Sequence, residues 1–328
     1  MGASGRAILG QDPTEFRRRR EMPLVSALLG DCYGSSTWYA CMSDFAVMRK
    51  GATMAVASSR VTSVAINQPV DPEELGGWKL HTEKTGLVDY AVDTDQQAMD
   101  VIRTYLSYLP QNSAETAPVM PVPEGSDEAA EGVLDHFPAS ASQVYDSRKI
   151  LANLVDRDSV FELKPKFGRS IVTAPAQPGF LIGLEGEKRW APGRIMNWMN
   201  ALSQVTVPRI AITMRKNYGQ AYLNMGGGRH AEMQAAWPTA NFGFMDPRAG
   251  VSVLHNLKRD EDPDRFDALA REISQDSSAF ALASLFETQA VLEPRETRRF
   301  LLAALDIHCG GPKRGIGEHY LSNWPTSF

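Results

Sequence analysis

The sequence predicts an α/β protein in which one ββα unit occurs twice. Each half contains a short apolar run, Pro23–Leu29 in the first half and Pro208–Thr213 in the second. In each half the proline that begins this run stands eleven residues before a glycine, Gly34 or Gly219. A second strand and a closing helix then follow in the same order. Because three features recur in one order, we interpret the chain as a duplication, arranged as a repeating spiral.

The first part of each unit is interpreted as a buried strand, a glycine turn and a helix. The apolar run of the first half leads into Tyr33-Gly34-Ser35, and that of the second half leads into Tyr218-Gly219-Gln220. A continuous apolar run that is bounded by a turn residue is typical of a strand covered on both faces. We therefore expect a helix to begin directly after each glycine.

The rest of each unit also recurs. A second strand is predicted near Thr53–Ala57 in the first half and near Asn241–Met245 in the second. The last apolar stretch of each half precedes a predicted helix, over about 95–108 and about 296–307. Strands that alternate with helices indicate parallel pairing, because parallel strands need a crossover connection.

A change of composition predicts the domain boundaries. Between positions 110 and 143 prolines alternate with acidic residues, and no basic residue stands between Arg103 and Arg148. Proline interrupts helices and central strands, while like charges repel one another. The sequence therefore predicts a first domain over 1–109, an acidic proline-rich linker over 110–143 and a second domain over 144–328.

Composition excludes several classes of protein. The chain has 328 residues, with 34 basic and 39 acidic side chains and a net charge of −5, which argues against a nucleic-acid binder. No apolar run reaches the roughly 18 residues of a membrane span, so we expect no membrane association. The three cysteines form no Cys-x-x-Cys pair, which predicts no metal site and a cytoplasmic location.

The two glycine turns are the candidate catalytic sites. Where a helix starts, backbone N–H groups lack an acceptor within the helix, and glycine lets a ligand approach the main chain. We therefore predict two oxyanion holes, one at Gly34 and Ser35 and the other at Gly219 and Gln220. Such donors suit an enolate or a tetrahedral oxyanion in carbonyl chemistry that uses no metal. The alternative is that both glycines only allow strand and helix to pack closely.

Longer motifs resemble the biotin-dependent acyl-CoA carboxyltransferases, the β subunits of propionyl-CoA and related carboxylases. These motifs follow one order along most of the chain: Pro23–Ser26, Gly30–Ser36, Ser43–Phe45, Glu74–His81, Tyr145–Ile150, Pro178–Phe180, Arg215–Tyr222, Trp237–Ala240 and Val291–Arg298. The resemblance implies two crotonase-like domains. It also implies that a carboxyl group passes from carboxybiotin to the α-carbon of an acyl-CoA at a dimer interface.

The resemblance gives each turn a role. The positions that match Gly219 and Gln220 hold the thioester oxygen as the enolate forms, and those that match Gly34 and Ser35 face the ureido oxygen of biotin. Expected substrate contacts are Tyr33, Ser36, Tyr218, Ala221, Pro178, Gly179 and Phe180. Expected partners are an acyl-CoA or acyl-carrier thioester, a biotin carrier or biotin carboxylase subunit and a homologous chain, in a homo- or hetero-oligomer.

The sequence also departs from the pattern of the family. Only about twenty residues precede the segment at Pro23, and the segment between Ile171 and Pro178 is short, so we expect both domains to be shortened. Three interpretations follow. The chain is a carboxyltransferase that a second chain completes, a biotin-independent decarboxylase or hydrolase of acyl thioesters, or a non-catalytic assembly partner of a full-length homologue.

Overall fold

A computed structural model describes residues 22–112, 115, 117–140, 143–167, 184–188, 191–203, 207–227 and 231–309. These residues form two compact units. The first unit contains the described residues up to position 120 together with 161–167. The second unit contains 121–160 and the described residues from 184 onwards.

The first unit is built from short parallel strands and the helices that connect them. Its strands are β1 (Val25–Leu28), β2 (Asp31–Tyr33), β3 (Phe45–Arg49), β4 (Thr53–Ala55) and β5 (Tyr90–Val92). Its helices are α1 (Ser35–Cys41), α2 (Ser59–Ile66), α3 (Pro72–Gly76) and α4 (Asp95–Ser107), and a π-helical turn over Leu80–Thr85 precedes β5. The strands form a three-stranded sheet in the order β1-β3-β5 and a pair β2-β4.

The second unit repeats this topology. Its strands are β6 (Ile210–Thr213), β7 (Lys216–Tyr218), β8 (Met233–Ala236), β9 (Asn241–Gly243) and β10 (Ala290–Val291). Its helices are α5 (Ser126–Ala129), α6 (Ser147–Leu154), α7 (Leu184–Lys188), α8 (Ala191–Ser203), α9 (Gln220–Asn224), α10 (Pro247–His255), α11 (Pro263–Ile273), α12 (Ala279–Ser284) and α13 (Thr297–Cys309). The sheet order is β6-β8-β10, with a separate pair β7-β9.

This correspondence confirms the predicted α/β class and the duplication. All named strand pairs in both units are parallel, and the predicted closing helices are α4 and α13. Each described unit nevertheless has five strands, where the sequence predicted two. The strands β2 and β7 were included in the turns, and the central strands β3 and β8 were not recognised.

The core of the first unit is centred on β3. Residues Phe45–Met48 are almost completely buried, because the strand is covered on both faces, as expected for the central strand of a parallel sheet. The ring of Phe45 stacks on Tyr105 of α4 at a centroid distance of 4.4 Å. Phe161 also packs against Phe45, at 5.6 Å, and so ties residues 161–167 to this unit.

The core of the second unit is centred on Trp237, which follows β8. Its side chain is fully buried, and its indole Nε1–H donates a hydrogen bond of 2.8 Å to Thr297 Oγ1 at the start of α13. Val133 and Ile150 belong to the same hydrophobic cluster. The Trp237–Ala240 motif therefore has a clear packing role, since a buried indole N–H needs an acceptor.

The prediction of an unpacked linker over 110–143 is wrong for its second half. Helix α5 and a 3-10 helix over Ala130–His136 form there, and Val133 is fully buried. The acidic residues are accommodated because distant arginines reach this segment. Arg298 Nε pairs with Asp127 at 2.9 Å, and Arg295 Nε pairs with Glu131 at 3.3 Å.

Candidate functional site

The two glycine turns have the same backbone conformation. Gly34 has φ 64° and ψ −129°, and Gly219 has φ 56° and ψ −134°. A positive φ of this kind is strained for any residue with a Cβ, which explains the glycine at both positions. Each turn joins a short strand to a helix, β2 to α1 and β7 to α9. The prediction of two equivalent strand-turn-helix elements is therefore confirmed.

The amide of each glycine is already engaged within the protein. Gly34 N–H donates to the carbonyl of Val56 at 3.0 Å, and Gly219 N–H donates to the carbonyl of Gly243 at 2.8 Å. By the register of the two strand pairs, Gly34 lies opposite Val56 and Gly219 lies opposite Phe244, so the acceptor is the opposite residue in the first turn and the residue before it in the second. The expectation that the glycine amides themselves are free donors is therefore wrong.

The next two amides of each turn are the available donors. Ser35 and Ser36 begin α1, and Gln220 and Ala221 begin α9. Their N–H groups donate to no acceptor among the described residues, as expected for the first turn of a helix. The glycine carbonyls, in contrast, accept the N–H groups of Thr37 and Tyr222. Each turn therefore presents two consecutive unpaired amides.

The side chain of Gln220 does not occupy the second turn. Its Nε2 donates to Asn224 Oδ1 at 3.0 Å, one helical turn further along α9, and the residue is exposed. Ala221, which follows, is fully buried. In the first turn Ser35 is half-buried and Ser36 is exposed. The amides at both turns are therefore not covered by hydrogen bonds from their own side chains.

The tyrosines that precede the glycines brace the turns. Tyr33 Oη lies 2.6 Å from Thr53 Oγ1, and Tyr218 Oη donates to Asn241 Oδ1 at 2.7 Å. Thr53 and Asn241 are the first residues of β4 and β9, so the two bonds are equivalent. Sequence reasoning missed both partners, although each is a polar residue that begins the predicted second strand.

The environment of Tyr218 keeps its hydroxyl protonated. Burial, and to a lesser extent the carboxylate of Asp246, raise the pKa of Tyr218 to about 12. Asp246 also forms an ion pair of 2.8 Å with Lys216 of β7. A neutral phenol that donates to an amide oxygen can position the turn, but it supplies no base. Substrate contact by Tyr33 and Tyr218 stays a prediction.

Exposed apolar side chains lie beside both turns. Val56 follows β4, and its carbonyl accepts the Gly34 amide; Phe244 holds the equivalent position after β9. These side chains are 73% and 84% exposed. Each turn therefore has one large apolar side chain beside it that faces solvent. The spacing of the second strands was the signal that could have located them.

The remaining residues that the sequence singled out are three predicted substrate contacts and a histidine. Pro178, Gly179 and Phe180 are outside the described residues. Within the described ranges, no group of three or more metal-ligating side chains occurs and no helix is long and apolar enough to cross a membrane. His81 is buried, and its Nε2 lies 2.7 Å from the carbonyl oxygen of Met54. Burial lowers the pKa of its imidazole, so we assign it a structural role.

Comparison with known proteins identifies the relatives of this chain. A family model described as the carboxyl transferase domain matches residues 14–178 and 176–308. The propionyl-CoA carboxylase carboxyltransferase subunit of Haloferax mediterranei is 28% identical, over 88% of this chain and 67% of its own length. The methylmalonyl-CoA carboxyltransferase 12S subunit of Propionibacterium freudenreichii subsp. shermanii is 25% identical, over 88% of this chain and 65% of its own length.

A solved structure gives the fold. The crystal structure of transcarboxylase 12S with methylmalonyl-coenzyme A and methylmalonic acid bound has a TM-score of 0.82 and 22% identity. It aligns with 93% of this chain, which in turn covers 69% of that chain. The chain therefore spans about two thirds of the length of the relatives that it matches. The predicted crotonase-like fold is confirmed.

Proposed function

The chain belongs to the carboxyl transferase domain family, and from this premise we propose that it transfers a carboxyl group to or from an acyl thioester. The observation that carries the proposal is the pair of unpaired amides that follows each glycine turn. Two such pairs on one duplicated scaffold suit a reaction with two carbonyl substrates. One substrate is the thioester, and the other is the group that carries the carboxyl.

The chemistry needs stabilisation of negative charge on oxygen. In the forward direction the α-carbon of the acyl group loses its proton, and the electron pair moves towards the thioester oxygen. The carboxyl carbon then forms a bond to the α-carbon as its bond to the biotin nitrogen breaks, and that nitrogen gains the proton. Amides that already point to the oxygen stabilise the enolate without reorganisation.

We assign the amide of Gln220, which belongs to an exposed residue, to the thioester oxygen, and those of Ser35 and Ser36 to the ureido oxygen of biotin. This assignment keeps the expected roles of the two turns but moves the donors one residue along the chain, because the glycine amides are engaged. Carboxybiotin is a substrate in this scheme, delivered by a carrier protein, and coenzyme A carries the acyl group.

The exposed apolar side chains support an oligomer as the working form. In the first unit Val56 is exposed, and so are Val61 and Val64 of α2, the helix that follows β4. In the second unit Phe244 is exposed, and so is Val253 of α10, the helix that follows β9. We propose that a second copy or a homologous chain covers these surfaces, because monomeric proteins rarely leave such apolar patches in water.

The decisive experiment removes a donor without removing the helix. Gln220 is the first residue of α9, where proline is tolerated because its missing N–H has no partner in the helix. Gln220→Pro therefore deletes the amide donor, and Gln220→Ala deletes only the side chain. We expect Gln220→Pro to lower kcat by about a hundredfold to a thousandfold and Gln220→Ala to stay within a few-fold of the native protein.

The assay offers the protein a panel of acyl-CoAs and carboxyacyl-CoAs, with and without carboxybiotin, and follows product masses. Circular dichroism establishes that both variants are folded. Transfer that requires carboxybiotin supports the proposal, whereas turnover of carboxyacyl-CoA alone indicates a biotin-independent decarboxylase. If the native protein turns over no substrate, either alone or with a full-length homologue, the proposal is wrong and an assembly role replaces it.

A further inference from the structure

Three lysine side chains converge on one indole ring in the first unit. The Nζ atoms of Lys50, Lys79 and Lys166 lie 5.2, 5.6 and 4.7 Å from the ring centroid of Trp78. Lys50 directly follows β3, Lys79 is the neighbour of Trp78, and Lys166 comes from the segment 161–167. The tertiary fold, rather than a local run of charge, therefore assembles these four residues, which we call the Trp78 cluster.

The framework of the Trp78 cluster is fixed by packing. Trp78 is half-buried and contacts the hydrophobic core of the first unit. The segment that carries Lys166 is anchored through Lys164, whose Nζ lies 2.9 Å from Oδ1 of the buried Asp89. Phe161 anchors the other end of the segment in the aromatic cluster around β3. A ligand at the Trp78 cluster would therefore meet a backbone that is already ordered, which reduces the entropic cost of binding.

The positive charge of the Trp78 cluster is not balanced. Lys50 pairs with the carboxylate of Asp93 at 2.7 Å. Among the described residues, Lys79 and Lys166 have no carboxylate within ion-pair distance, and the nearby Glu73 pairs with neither. The face of an indole ring has only a partial negative charge, so it does not neutralise two ammonium groups. Both ammonium groups therefore attract an anion to the surface around Trp78.

We propose that the Trp78 cluster binds the diphosphate group of a phosphorylated ligand. Each ammonium group is within 5.6 Å of the ring centroid, so any two of them are at most about 11 Å apart. A diphosphate has several negative charges within that span, whereas a single carboxylate has one. Lysine binds phosphate as a compact point charge with three donors. The proposal concerns the first unit alone and does not depend on carboxyl transfer.

The test is calorimetric titration of the full chain with inorganic pyrophosphate at low ionic strength. We expect binding that weakens as salt is added, because the contacts are between charges near the surface. The double variant Lys79→Ala and Lys166→Ala is expected to lose about a hundredfold in affinity, which is about tenfold for each ammonium group. Trp78→Phe keeps the lysines and is expected to abolish the change in tryptophan fluorescence on binding.

A matched control variant distinguishes binding at the Trp78 cluster from nonspecific electrostatic attraction to the protein. Lys84 and Lys258 are exposed and lie outside the Trp78 cluster. Their double substitution by alanine gives the same net charge as the test variant, and we expect native affinity. Equal losses in the two double variants, or no binding of pyrophosphate by the native protein, would overturn the proposal.

Titrations with ADP and with orthophosphate show which part of a phosphorylated ligand the Trp78 cluster recognises. ADP that binds more tightly than pyrophosphate supports a nucleotide-bearing ligand, and equal affinities support recognition of the diphosphate alone. Orthophosphate that binds as tightly as pyrophosphate contradicts a diphosphate site. Because these titrations use no acyl thioester, an inactive protein that binds pyrophosphate would leave this proposal standing while the proposed carboxyl transfer fails.

Discussion

The two glycine turns share a backbone conformation but differ in the space around them. A Cβ placed on Gly34 would meet no atom of the described chain within 4 Å, apart from its immediate neighbours. A Cβ on Gly219 would lie 2.9 Å from the carbonyl oxygen of Phe244. The two turns therefore keep the same backbone conformation, whereas the atoms that pack beside them differ. Under the proposed function, this difference in space would suit the two turns to different carbonyl groups.

The largest expected effect is that proline substitutions in the two turns slow different steps of the reaction. Ser35 is the first residue of α1, so Ser35→Pro deletes one amide donor of the first turn in the same way that Gln220→Pro does in the second. We expect Ser35→Pro to slow carboxyl release from carboxybiotin by about a hundredfold or more and to leave the acyl-CoA step unchanged. Gln220→Pro is expected to have the opposite pattern.

Half-reaction assays measure this pattern, with carboxybiotin alone for carboxyl release and with acyl-CoA plus biotin for the acyl-CoA step, and Ser35→Ala is the matched control for the lost hydroxyl. If Ser35→Pro and Gln220→Pro impair both half-reactions equally, the two turns do not have separate roles.

The second expected effect is on stability. Alanine at either glycine must adopt a positive φ, which costs about 1–3 kcal/mol. At Gly219 the new Cβ also crowds a backbone carbonyl, so the loss should be larger by about 1–2 kcal/mol. Urea denaturation of Gly34→Ala and Gly219→Ala measures the difference. Equal free energies of unfolding for the two variants would show that the Phe244 carbonyl moves away from the new Cβ with no loss of stability.

A smaller difference is expected for the bracing tyrosines. Tyr218→Phe leaves Asn241 Oδ1 without its donor in a partly buried place and should cost about 1–2 kcal/mol. Tyr33→Phe should cost less, because the Thr53 hydroxyl still donates to Asp31 at 2.9 Å. Thermal unfolding of both variants tests this order. A larger loss for Tyr33→Phe would contradict the account of the bracing bonds.

A further expected effect depends on pH. The pKa of Tyr218 is about 12 in the folded chain and near 10 when unfolded, so the unfolded state releases its proton first as pH rises. The stability from this group is complete below pH 10 and is lost as pH rises towards 12. Tyr218→Phe should flatten that decline in denaturation curves measured from pH 9 to 12. An unchanged slope would show that Tyr218 does not titrate in this way.

Sequence patterns predicted the first strand and the closing helix of each unit but not the central strand of its sheet. The apolar runs at β1 and β6 and the helices α4 and α13 have local signals, since apolar periodicity and turn residues stand within a few positions. The strand β8 reads Met-Gln-Ala-Ala, which has little strand character, and only its place between β6 and β10 defines it. Tertiary context therefore decided the central strand of the second sheet.

The sequence predicted the position of the candidate site but not which backbone amides are its donors. Glycine spacing located both turns, yet the bonds that occupy the glycine amides come from the ends of β4 and β9, at Val56 and Gly243. Those acceptors are distant in sequence, so no local pattern shows that they satisfy the glycines. The packed part of the linker was missed for the same reason, because Arg215 and Arg298 reach it from far along the chain.

The most direct test of the account is exchange of the acyl α-proton. In heavy water, with biotin present to accept the α-proton, the native protein should incorporate deuterium at the α-carbon of its acyl-CoA substrate, which is the result expected if the Gln220 amide stabilises the enolate. Gln220→Ala should exchange at nearly the native rate, and Gln220→Pro should be slower by about a hundredfold or more. Equal exchange by Gln220→Pro and the native protein would contradict the central claim.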